Sequence, residues 1–223
     1  TTASNNTAIG KDALTTNTTG TDNVALGFCA LNANTDTNEN VAIGNFALKS
    51  NDNTNTVGIG FKALCANTTG ANNTAVGTNS LDGNTTASDN TAFGKSSLGA
   101  NTTGASNTAI GKDALLTNTT AAENVAVGKQ AMQATTTGAG NTSVGTQSLY
   151  TNTEGAQNVA VGLGALFDNT TGSRNIGIGT SALENNTTAS DSTAVGNQAL
   201  YKNTTGPRNT AIGKGAGCEI TTG

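Results

Sequence analysis

The stretch Asn6-Thr7-Ala8-Ile9-Gly10-Lys11-Asp12-Ala13-Leu14-Thr15-Thr16-Asn17-Thr18-Thr19-Gly20-Thr21-Asp22 decides the fold, because Asn23-Val24-Ala25-Leu26-Gly27 begins it again. The glycine closing each Thr-Ala-Ile-Gly-like segment stands at Gly10, Gly27, Gly44, Gly60, Gly77, Gly94, Gly111, Gly128, Gly145, Gly162, Gly179, Gly196 and Gly213. Eleven of the twelve intervals are 17 residues, and the one from Gly44 to Gly60 is 16. The consensus reads N-T/V-A-I/V-G-x-x-A-L-x-x-N-T-T-G-x-x. A unit this short cannot bury a face alone, but identical units stacked on one another can.

Working outward from the marker glycine, the residue before it is large and apolar in every copy, from Ile9 and Leu26 through Phe93 to Ile212. Most are β-branched, which suits a strand. Four residues after the glycine comes Leu, as in Leu14, Leu31 and Leu48, replaced only by Met132 and Gly217. Both columns read as a stacked interior. The glycine fits a sharp corner that needs a positive φ or a close backbone approach. The 24 charged side chains (10 basic, 14 acidic) all fall 1, 2, 5, 6, 8, 9 or 12 residues after a marker glycine, so every turn has a fixed inside and outside.

Asn6-Thr7-Ala8-Ile9-Gly10 alternates with a period of two, and the repeated Gly, Asn and Thr disfavour a two-helix repeat, whose units also run longer, at about 33 to 47 residues. The expected fold is therefore all-β: a parallel β-solenoid of thirteen coils, rising about 4.8 Å per coil to a rod of about 60 Å. It forms one repeat domain over residues 1–223, with a degenerate last coil at 214–223.

Composition agrees and excludes much else. The chain holds 43 Thr, 32 Asn and 29 Gly, with one Pro, no Trp and no His. Charged residues are 11% and aromatics 3%, so a core of large apolar side chains is not available. No run approaches the about 20 apolar residues of a transmembrane helix, so membrane insertion by this segment is not expected. Without His the usual triads and zinc sites lose a member. No CxxC, phosphate loop or repeated carboxylate pair stands out, and the expectation is a non-enzyme with no cofactor and no metal. A net charge of −4 gives no basic footprint for nucleic acid.

Two Asn columns support the solenoid. One runs Asn17, Asn34, Asn51, Asn67, Asn84 and onward, interrupted by Thr135 and Ile220; the other precedes each strand, as Asn6, Asn23 and Asn40, with Thr56 and Ser192 as exceptions. Stacked amides hydrogen-bond from coil to coil or hold turns. Asn17-Thr18-Thr19 and its copies also match the glycosylation motif, but the repeat already explains every match. A further column is small throughout: Ala8, Ala25, Ala42, Gly58, Ala75, Ala92, Ala109, Ala126, Ser143, Ala160, Gly177, Ala194 and Ala211. Alternation places it opposite the apolar column, so the alanines are expected at an oligomer interface, in a closed cyclic assembly such as a trimer. The alternative is a very narrow single-chain interior.

The stacked N-T-A-I-G…A-L units resemble the head repeats of trimeric autotransporter adhesins and repeats of bacteriophage tail fibres, from Thr7 to about Gly213. The resemblance implies a left-handed parallel β-roll assembled as a homotrimer, with Thr7 and Ile9 inward and Ala8 towards the trimer. It also implies an extracellular, cell-surface or virion location. The extra Asn-Thr-Thr-Gly loop departs from the adhesin roll and makes the coil cross-section differ. Thr1-Thr2-Ala3-Ser4 matches Thr85-Thr86-Ala87-Ser88, so the chain reads as a piece of a longer fibre protein.

Cys29, Cys65 and Cys218 fall too far apart along such a rod to bridge within about 7 Å. Asp36, Glu39 and Asp52 cluster near the 16-residue coil, either as oxygen ligands for Ca²⁺ or as polar substitutions in a looser turn. The candidate binding residues are aromatic: Phe28, Phe46 and Phe61 in three successive coils, and Tyr150, Phe167 and Tyr201 in one column. They stack on sugars or contact a neighbouring chain. The expected function is a structural and adhesive fibre segment, a rigid spacer with itself as partner and a surface glycan or host receptor as ligand. The alternatives are an ice-binding solenoid, which wants two Thr ranks on one flat face, and a self-assembling filament without a ligand.

Overall fold

The structure, a computed structural model, describes residues 2–222. It consists of thirteen three-residue strands: β1 (Thr7–Ile9), β2 (Val24–Leu26), β3 (Val41–Ile43), β4 (Val57–Ile59), β5 (Thr74–Val76), β6 (Thr91–Phe93), β7 (Thr108–Ile110), β8 (Val125–Val127), β9 (Thr142–Val144), β10 (Val159–Val161), β11 (Ile176–Ile178), β12 (Thr193–Val195) and β13 (Thr210–Ile212). They form one parallel sheet in strict sequence order, each strand pairing in register with the strand one coil away. Among the described residues there is no helix. The chain is a parallel β-solenoid with one coil per repeat.

The rest of the coil is also bonded to its neighbours. Gly27 N–H donates to Ile9 O at 2.9 Å, Cys29 N–H to Lys11 O at 3.0 Å, and Leu31 N–H to Ala47 O at 3.0 Å. The turn is tied by Thr18 N–H to Thr35 O at 2.7 Å. Backbone groups are therefore satisfied outside the strands as well, which a structure with so little regular sheet needs.

The marker glycine is fixed by this stacking. Gly111 has φ +134, and a Cβ there would lie 2.5 Å from Gly128 O and 2.6 Å from Gly128 C. Two residues on, and again at the Leu column, the chain is left-handed with ordinary side chains: Asp113 has φ 58 and Leu115 φ 49. A left-handed non-glycine residue costs about 1–2 kcal/mol. At the Leu column that turn aims the side chain inward, and full burial of a leucine contributes about 1.5–3 kcal/mol. From Leu31 to Leu200 the column is fully buried, Met132 included.

The strand faces the opposite way from the sequence expectation. Ala25, Ala42, Ala75, Ala92, Ala109, Ala126, Ala160 and Ala194 are fully buried within the single chain, and Ala211 is nearly so. They pack with the Leu column and with the Ala residues three positions after the glycine, such as Ala47 and Ala114. Ala8 is in register with Ala25 but lies in the end coil and is exposed. The residues expected inward, Thr7 and Ile9 and their equivalents, are the outward ones. The reason is the narrow interior: a Cβ at Gly58 would stand 2.9 Å from Leu48 Cγ, and one at Gly177 3.3 Å from Leu166 Cγ. The column is small because its own chain's leucines fill the space beneath it. These alanines are a core, not an oligomer interface.

Both Asn columns are internal ladders. In the turn column, Asn84 Nδ2 donates to Asn67 Oδ1 at 2.8 Å and to Ala87 O at 3.0 Å, and Asn101 repeats this on Asn84 at 2.9 Å. In the pre-strand column the amide oxygen accepts the next coil's backbone, as in Asn124 N–H to Asn107 Oδ1 at 3.0 Å. The two ladders converge on one carbonyl: Gly172 O accepts from Asn158 Nδ2 at 2.8 Å and from Asn169 Nδ2 at 2.9 Å. The amides of the Asn-Thr-Thr motifs are thus buried and donating, which explains the motif without glycosylation. The 16-residue coil keeps strand register, Val41 against Val57. Its missing residue is absorbed in the turn, where Asn51 Nδ2 reaches Asn53 O at 2.8 Å, two residues on instead of three.

Candidate functional site

Once the ladders, leucines and alanines are inside, what the solenoid displays is set by the remaining columns. The first display surface is aromatic. Phe28 and Phe61 directly follow their marker glycines, and Phe46 stands one place later, in the left-handed position at φ 62. The three rings touch in series, edge to face, with centroids 5.1 Å (Phe28–Phe46) and 6.2 Å (Phe46–Phe61) apart. Each carries an ammonium over it: Lys11 on Phe28, Lys49 on Phe46 and Lys62 on Phe61, at 5.6–5.7 Å. The sequence grouping is therefore a spatial one, and three lysines join it that the column reading did not single out. Their signal was present, since Lys11 and Lys62 neighbour the same corners.

Tyr150 and Phe167 lie flat on one another, centroids 5.0 Å apart and planes 9° from parallel. Tyr201 occupies their column two coils beyond Phe167, with Glu184 in the coil between, and makes no ring contact among the described residues. Burial pushes the neighbouring Asp168 carboxyl above its usual range, and the Glu184 charge adds to it. Near the first cluster burial raises Asp82 while Lys62 opposes, and burial raises the Cys65 thiol with Asp82 contributing. The three cysteines are free.

Asp36, Glu39 and Asp52 are not assembled as a metal cage. Asp52 Oδ1 instead accepts Thr35 N–H at 3.1 Å and Thr35 Oγ1–H at 3.0 Å. Among the described residues no group of three His, Cys, Asp or Glu side chains is placed to hold a metal, and no pocket is present. No helix is long and apolar enough to cross a membrane.

The second display surface, which the sequence reading placed inside, is the outer face of the strand sheet. Two ranks run the length of the rod: one of Thr, Val or Ile (Thr74, Thr91, Thr108, Val125) and one of large apolar residues (Val76, Phe93, Ile110, Val127). Phe93 is 44% exposed and Ile110 42%. None of the strand positions is charged. The signal that could have found this face is the small column, because only the inside of so thin a coil demands Ala, Gly or Ser in every copy. Comparison with protein-family models, with curated proteins and with solved structures gave no match, so the geometry itself carries the functional argument.

Proposed function

We propose that the chain is a structural and adhesive segment of an extracellular, cell-surface or virion fibre, a rigid spacer that displays side chains along a rod and performs no catalysis. The observation that carries this reading is the uninterrupted thirteen-strand stack with two Asn hydrogen-bond ladders running along it, which fixes spacing and orientation from coil to coil. The likeness of its N-T-A-I-G…A-L units to adhesin-head and tail-fibre repeats points the same way. The left-handed winding and homotrimeric state that this likeness implies belong to the same proposal. Its ligand on this reading is a surface glycan or host receptor, met by the Phe28–Phe46–Phe61 series or by the Tyr150–Phe167 stack.

The spacer role is tested by solution scattering. Particles behaving as stiff rods about 60 Å long support it, and compact or bent particles overturn it. The adhesive role is tested on a glycan array with the intact chain and with the Tyr150→Ser/Phe167→Ser variant. A signal that the variant loses at least tenfold supports it; no signal from the intact chain leaves the segment a spacer alone. One observation favours ice binding as a second reading: Thr74, Thr91 and Thr108 stand in rank on an uncharged outward sheet face. Thermal hysteresis in dilute solution is its test.

A further inference from the structure

We propose that the Phe28–Phe46–Phe61 series is a binding site for acidic polysaccharide, a glycan chain carrying carboxylate or sulfate groups, and that charge directs this ligand here and away from the Tyr150–Phe167 stack. The proposal rests on the adhesive reading and gives it a ligand class and a place. Phe28 is 37% exposed and Phe61 45%, so two of the three rings present apolar surface to solvent on which a sugar ring can stack. Asn45 stands in the same column as Phe28 and Phe61, in the coil between them, and its side chain is exposed. Its Oδ1 accepts Phe28 N–H at 3.0 Å, which leaves its Nδ2 as a donor beside the rings.

The lysine over each ring identifies the ligand's charge. A ring face attracts an ammonium but carries no charge to neutralise it, so the N–H donors turned away from the ring stay free for an anion. The acidic groups in the same corner columns are Asp12 and Asp82. Asp12 pairs with Lys11 at 3.6 Å, and Lys62 counters the burial that raises the Asp82 carboxyl. Three ammoniums thus stand against two carboxylates, and Lys49 and Lys62 have no ion-pair partner among the described residues. Asp22, Asp36, Glu39 and Asp52 belong to the turn and pre-strand columns, not to the columns that carry the rings. The Tyr150–Phe167 stack has the opposite character. Among the described residues no lysine stands over its rings, and the adjoining Asp168 and Glu184 have no ion-pair partner. The Glu184 charge helps raise the Asp168 carboxyl, so the pair is short of positive charge. A polyanion is repelled at that stack and attracted at the phenylalanine–lysine series.

The test is affinity electrophoresis of the intact chain in polygalacturonate, dextran sulfate and neutral dextran. The net charge of −4 gives the chain no general attraction for a polyanion, so retardation reports a local site. At least one acidic polymer is expected to bind at least tenfold more tightly than dextran and to weaken as salt is raised; the better of the two names the anion. Lys49→Gln/Lys62→Gln and Phe28→Ser/Phe61→Ser are each expected to lose at least tenfold in affinity with unchanged circular dichroism. Lys95→Gln/Lys129→Gln removes two lysines that stand over no ring, and it and Tyr150→Ser/Phe167→Ser are expected to stay within twofold of the intact chain. Dextran bound as tightly as the acidic polymers, an equal loss in the Lys95/Lys129 variant, or full binding by either Phe28–Phe61 or Lys49–Lys62 variant overturns the proposal. Neither acidic polymer bound, with a neutral glycan bound on the array, overturns it and leaves the adhesive role standing. No glycan bound at all overturns both.

Discussion

At the scale of the residue, the chain shows how much of a column's identity is set by its own stack. The turn ladder is interrupted once inside the rod, at Thr135, and the consequence is local: Asn118 Oδ1 and Thr135 Oγ1 are buried without a hydrogen-bond partner. On the far side of the break Asn152 Nδ2 still reaches Gly155 O at 2.9 Å, but its ladder bond is missing. Thr135→Asn places an amide between Asn118 and Asn152 and completes the series. The variant is expected to be more stable by about 1–2 kcal/mol, the cost of buried polar groups left unpaired, as read by chemical denaturation. A lower midpoint would mean that the coil cannot take the larger side chain. The two threonines of the Asn-Thr-Thr-Gly turn divide similarly: Thr102 Oγ1 donates to Thr119 O at 2.9 Å, while Thr103 is exposed.

The element of this fold is the coil, held less by its three-residue strand than by its corners. The marker glycine is required twice over, by a φ near +130 that L-residues rarely adopt and by the next coil's carbonyl lying where a Cβ would go. Neither constraint relaxes by side-chain movement, because the obstructing atoms are backbone. Gly111→Ala is therefore expected to cost more than about 3 kcal/mol in denaturation experiments, well beyond an ordinary surface substitution. Gly213→Ala isolates the conformational part, since nothing lies within 4 Å of a Cβ there, and its loss is expected to be smaller. The 16-residue coil shows the complementary tolerance: the turn gives up a residue while β3 and β4 stay in register.

At the scale of the whole molecule, strands touch only their immediate neighbours, so stability is close to a sum over coils and interfaces. Removing residues 112–128, one whole 17-residue coil, joins Gly111 to Lys129 and leaves every column aligned. The shortened chain is expected to keep its circular dichroism and to scatter as a rod about 4.8 Å shorter. Loss of fold on this deletion would mean that the coils are not interchangeable. The same linear construction spreads the candidate surfaces. The phenylalanine–lysine series lies in the first four coils, the Tyr150–Phe167 stack in the ninth and tenth, and the apolar strand face along the whole length.

The period, the parallel stacking, the corner glycines and the Asn ladders were all determined by the sequence alone, because a 17-residue repeat leaves each column one role to play in every copy. The grouping of Phe28, Phe46 and Phe61 was legible for the same reason: columns one coil apart are neighbours in space. Which way the strand faces was not legible. Alternation separates Ile9 from Ala8 without saying which is inside, and apolar character argued for the isoleucine. Only the closed coil decided it, since the left-handed turn at the Leu column drives that side chain beneath the strand and leaves room there for nothing larger than alanine. The same closure moved the apolar rank from core to surface, where Phe93 and Ile110 stand exposed.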